Sequence, residues 1–178
     1  MEDGAKTAAP APLDLHAISR TALVTALAIA LPPVLHAVKL GSVFLPMYLP
    51  VLAGAFFLPA RHAALAGLAA PLLSAALTGM PPFWPPVAVW MAGELSAAGA
   101  VVAMADGRWR LRPVVSVAAG LAAARLVQAA LVLATAGLAD LPPRFLTAAA
   151  FVASWPGMVL ALVAVPAAVA LLRREPSR

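Results

Sequence analysis

Cysteine is absent from all 178 residues, so neither disulfides nor thiolate metal sites are available to this chain. Charge is scarce as well. Asp, Glu, Lys and Arg make up 11% of the sequence, too little to give a soluble domain of this length a polar surface. No His-Glu-x-x-His, Gly-x-Ser-x-Gly or phosphate-loop pattern occurs, and no catalytic residue, metal site or cofactor is expected. Matched broken helices in two halves, the mark of inverted-repeat transporters, are also missing. Met1–Leu15 holds acids and prolines and has no apolar h-region, so a cleavable signal peptide is not expected.

What fills the chain instead is apolar: 63% of residues are hydrophobic and the mean hydropathy is +0.96. The sequence predicts an all-α integral membrane protein with six transmembrane helices. Residues 1–16 are read as a disordered cytoplasmic tail, 17–173 as the six-helix membrane domain and 174–178 as a second cytoplasmic tail. The spans are read as Ile18–Val38, Val43–Leu58, Ala63–Thr78, Pro86–Ala105, Pro113–Leu138 and Phe145–Leu172. A span needs about 20 residues to cross ~30 Å of hydrocarbon, so the second and third are short. The second, with Pro46 and Pro50, is expected to be kinked or partly re-entrant. Arg61-His62 is read as a tight basic turn, and Asp106–Arg112 as a basic loop.

A net charge of +5 and a pI of 11.1 raise the question of nucleic acid. The placement of the charge answers it. Six spans put nine basic residues on the side of the termini: Lys6, Arg20, Arg61, Arg108, Arg110, Arg112, Arg173, Arg174 and Arg178. The opposite side has only Lys39 and Arg144. The positive-inside rule then places both termini in the cytoplasm, and no nucleic-acid partner is needed.

The stretch Thr78–Leu95 carries four prolines and two tryptophans and runs into an apolar helix with one acid, Glu94. Prolines 81, 82, 85 and 86 fix φ and lack N–H groups, so Met80–Pro86 is predicted to be a stiff loop. Pro86, Trp90 and Glu94 recur at i, i+4, i+8 and share one helix face. Glu94 and Arg125 are the only ionisable residues deep in the spans. By rise per residue both fall near the midplane, where they can pair structurally or hold a ligand. Gln128 follows Arg125 on the same face, as a ligand donor or as interhelical glue. Trp90 and Trp155 lie in outer halves, as interfacial anchors or pocket walls. Trp84 and Tyr48 are placed nearer the rim, where either caps a ligand or sits among headgroups. His36 and Lys39 flank the outer turn, as a snorkelling pair or as donors to an incoming anion. Ala22, Ala26 and Ala30 form a small-residue stripe of the kind that lets another helix approach closely.

The segments HAVKLGSVFLPMYLPVLAGAFF (36–57), GLAAPLLSAALTGMPP (67–82), Glu94-Leu95 and PGMVLALVAVP (156–166) resemble the substrate-binding S component of energy-coupling factor (ECF) vitamin transporters. The resemblance covers roughly residues 18–172. It implies a bacterial inner-membrane subunit that captures a vitamin in an outward pocket and docks on a transmembrane coupling protein with two cytoplasmic ATPases. It further implies that Ala22, Ala26 and Ala30 are the docking stripe. Relatives often read Pro-Met-His-x-Pro where this chain has Tyr48 in place of the histidine, so mechanism class follows from the resemblance better than cargo does. Within that resemblance, an anionic vitamin-sized substrate suits Arg125 and Lys39. Two other classes stay open: a polytopic enzyme acting on a lipid or isoprenoid with Glu94 as acid or base, and an assembly subunit that binds nothing small.

Overall fold

The computed structural model describes residues 14–37, 46–136 and 155–174, and among these every regular element is a helix. They are α1 (Leu15–Ala37), α2 (Tyr48–Ala55), α3 (Ala60–Thr78), α4 (Val87–Gly107), α5 (Pro113–Ala136) and α6 (Trp155–Leu172). All but α2 are long and apolar enough to cross a membrane. The chain is thus an all-α protein with the makings of a multi-pass membrane bundle.

Local chemistry sets the helix ends. Asp14 caps α1, its Oδ1 accepting the Ala17 N–H at 3.0 Å. Ser19, Thr21 and Thr25 turn their hydroxyls back onto carbonyls four residues earlier, which leaves no polar group of theirs for lipid to solvate. Helix α3 stops at Gly79, whose φ of 73° is left-handed and whose N–H closes onto Ala75 O at 2.9 Å. The proline segment that follows is non-helical, as predicted. Ser74 Oγ donates to Met80 O at 2.7 Å and Ala88 N–H to Pro82 O at 3.1 Å, tying the loop to both flanking helices.

Two sequence readings change. Arg61 and His62 are not a turn but the first turn of α3; the bend lies earlier, at Phe56–Pro59. Pro59 precedes the helix and its carbonyl accepts the His62 and Ala63 N–H groups at 2.8 and 3.0 Å, so the helix starts where proline geometry allows. The second expected span is represented by α2, eight residues or ~12 Å of helix, with 43–45 outside the described residues. This short helix is central. Tyr48, Val51, Leu52 and Ala55 are almost fully buried, and α2 packs against α1, α3, α4 and α6. A short helix that starts in the middle of an apolar bundle is tolerable in lipid only when protein surrounds it, as here.

The tightest packing joins α3 to α4. A Cβ on Gly67 would stand 2.4 Å from Leu95 O, and one on Gly99 would stand 2.8 Å from Ala63 O. Each helix therefore presses a glycine against the other's backbone. In a bilayer, where burial of apolar surface drives little, such close van der Waals contact is a main source of helix association. At the end of the bundle marked by the last turn of α6, Arg173 binds Asp106 of α4 at 2.7 Å. Its guanidinium carbon also lies 5.5 and 5.9 Å from the ring centroids of Phe56 and Phe57, just past α2. The ends of α2, α4 and α6 meet there.

Candidate functional site

Three helices converge on one buried polar cluster. Glu94 lies twelve residues before Asp106, and Arg125 twelve residues after Pro113. Because α4 and α5 are antiparallel neighbours, both stand ~18 Å from the same end, at equal height. Arg125 Nη2 lies 3.4 Å from Glu94 Oε2, with side chains 17% and 4% exposed. The same Nη2 donates to the Tyr48 hydroxyl at 2.9 Å, and Nη1 donates to Gln128 Oε1 at 2.7 Å. The Tyr48 ring also takes the guanidinium at 5.8 Å from its centroid.

Tyr48 therefore does not sit at the rim. It opens α2 in the middle of the bundle, 1% exposed, because α2 starts at the depth of Arg125 and not at a membrane surface. Gln128's amide oxygen accepts from Arg125 one turn away on α5, a contact within one helix.

Among the described residues the cluster pairs one acid with one base and leaves one carboxylate oxygen without a hydrogen bond. Glu94 Oε2 is buried and accepts no hydrogen bond, since the 3.4 Å approach of Arg125 is an ion pair without hydrogen-bond geometry. A carboxylate oxygen in that state is costly in an apolar interior, and a donor from a ligand would relieve the cost. One turn towards the start of α4, Trp90 is also buried. Its Nε1 donates to Thr135 Oγ1 at 3.2 Å, closing the seam between α4 and α5 above Glu94. Thr135 is a partner that the sequence reading did not single out. A threonine in an apolar helix gives no signal of its own, and only spatial pairing with an indole reveals it.

The other candidates divide. Trp84, 69% exposed in the proline loop, and Trp155, 60% exposed at the start of α6, lie at the end opposite Asp106 and Arg173 and touch none of the cluster's polar atoms among the described residues. Their exposure suits an interfacial belt. His36 falls in the last turn of α1, but its side chain, like the whole of Lys39, lies outside the described residues. Ala22, Ala26 and Ala30 are exposed on α1, turned away from the bundle's interior. Ala22 and Ala26 border an open apolar groove between α1 and α3, and Ala30 borders another against α2 and α6. His62, read as a lone loop histidine, is buried in α3 with Nδ1 accepting or donating no hydrogen bond.

What the arrangement offers chemically is a carboxylate oxygen with an unused acceptor position and a guanidinium beside it, next to two buried aromatic side chains. Comparison with known proteins returned no matching family model, no similar curated protein and no similar solved structure.

Proposed function

We propose that this chain is the membrane-embedded capture subunit of an ATP-driven uptake system of the ECF type, binding a vitamin-sized polar molecule. The observation that carries the reading is the Glu94–Arg125 pair with Tyr48 and Gln128, buried at mid-depth and still one hydrogen bond short at Glu94. Ionisable groups so placed in a membrane protein are a functional site by default. Six membrane segments, the second a partial one at α2, put both termini at the arginine-rich end, which the positive-inside rule assigns to the cytoplasm. The site then lies nearer the outer surface: seven residues from Val87, or ~10 Å, against ~18 Å to the inner end. With no nucleotide-binding motif in its sequence, the chain depends on partners for energy, a coupling protein and two ATPases. The exposed alanines of α1 are the docking stripe in this reading.

The test is direct. The full-length protein is extracted in mild detergent and denatured, and released small molecules are identified by mass spectrometry. The best candidate is then titrated by tryptophan fluorescence, for which Trp90, one turn from Glu94, is the reporter. Tight stoichiometric binding that is lost in Arg125→Ala, with the variant still folded, is the expected result. An empty protein that responds to none of a vitamin panel refutes the reading.

A further inference from the structure

The arginine-rich end holds a second site, separate from the buried pair. A polar cavity of about 510 Å³ opens there between the end of α4, the start of α5 and the end of α6, lined by Asp106, Gly107, Arg110, Leu111, Pro113 and Arg173. Arg173 is neutralised by Asp106, so the unbalanced charge on the wall is Arg110, which makes no ion pair among the described residues. Its backbone is unusual: φ is +52°, the left-handed region that side chains other than glycine avoid. The loop holds it there by hydrogen bonds on both sides, Trp109 N–H to Met104 O at 3.2 Å and Leu111 N–H to Ala105 O at 2.9 Å. Helix α5 starts on the same wall at Pro113 and directs the positive end of its dipole towards it. Arg108 and Arg112 flank the cavity in sequence and are exposed, adding to the positive field.

We propose that this cavity binds the phosphate headgroup of an anionic phospholipid. The surroundings favour a lipid over a soluble acidic partner. Leu111 of the wall is exposed, as are Trp109, Val114, Leu171 and Leu172, which lie within two residues of wall residues in sequence. An indole beside a guanidinium, followed by aliphatic side chains on membrane-length helices, matches the succession of headgroup, interface and acyl chain. A water-soluble peptide would leave that apolar skirt without a use.

The experiment uses the full-length protein in mild detergent, titrated with phosphatidylglycerol or phosphatidylcholine and followed by native mass spectrometry and thermal melting. Glycerol 3-phosphate serves as the soluble competitor. Phosphatidylglycerol is expected to be retained selectively and to raise the melting temperature. Arg110→Gly suits the local backbone, so it should fold and melt normally in phosphatidylcholine while binding phosphatidylglycerol about tenfold more weakly. Arg110→Asn, also at ease with left-handed φ, provides a second variant. Arg61→Gln, an exposed arginine outside the cavity wall, should leave binding unchanged. Unchanged binding in Arg110→Gly overturns the site. An equal loss in Arg61→Gln shows only diffuse attraction, and competition by glycerol 3-phosphate as strong as by the lipid shows a free-phosphate site; either overturns the proposal.

Discussion

Replacing Arg125 by leucine strands the Glu94 carboxylate in the bundle interior, where its side chain is 4% exposed. Removing one partner of a buried pair costs about 3–5 kcal/mol, because the remaining charge has neither water nor counter-ion. The converse change, Glu94→Leu, should cost less, about 2 kcal/mol, since the guanidinium keeps Tyr48 and Gln128 as acceptors and is itself 17% exposed. The double replacement removes both charges and fills the space with apolar atoms, a swap that is often neutral and should cost no more than about 2 kcal/mol. The singles then exceed the double by roughly 3 kcal/mol or more, which is the coupling energy of the pair. Unfolding by SDS in mixed micelles, followed by circular dichroism, measures all four proteins on one scale. Single variants that each cost under about 1 kcal/mol and simply add would refute the reasoning, because the carboxylate would then have another source of stabilisation.

Other outcomes follow from contacts already described. Gly67→Val should unfold the bundle or cost more than about 3 kcal/mol, since its Cβ would meet Leu95 backbone at 2.4 Å, whereas Gly79→Ala, with nothing within 4 Å, should cost only the ~1 kcal/mol of left-handed strain; thermal melting of the pair of variants separates these. Thr135→Val removes the acceptor of the Trp90 indole and should lower stability by about 0.6–1.7 kcal/mol while shifting the tryptophan emission, and an unchanged spectrum would count against that bond. Ala26→Trp falls on an exposed face, so melting temperature and ligand titration should match the parent while uptake by cells stops; normal uptake would remove the docking role from α1.

The membrane class was legible in composition: an 11% charge content is too little to cover a soluble domain of this length, and five of the described helices are long and apolar enough to cross a membrane. Helix ends at Gly79 and Pro113 could be read closely because glycine and proline act locally, whereas α4 runs past the expected Ala105 through Asp106 and Gly107, residues read as loop. The pairing of Glu94 with Arg125 could also be read, since equal counts of residues from a shared turn give equal depth on adjacent helices. Tyr48 could not be placed the same way. Its depth depends on α2 being only eight residues long and starting inside the bundle, and no local signal in a run of apolar residues marks a helix that stops short of the surface. The same limit applies to Gly67 and Gly99. In an alanine-rich chain many small residues stand four apart, and the α1 stripe drew attention while the pair that presses backbone on backbone was on α3 and α4.

Helix α2 is grasped at both tips by arginines that belong to other helices. Arg125 of α5 takes hold of Tyr48 at its beginning, and Arg173 of α6 covers Phe56 and Phe57 beyond its end. Two turns of hydrogen-bonded helix lie between, too short to bend and with a core-packed flank along α1, α3, α4 and α6. The buried pair and the arginine-rich end are thus connected through a single core-packed helix of eight residues.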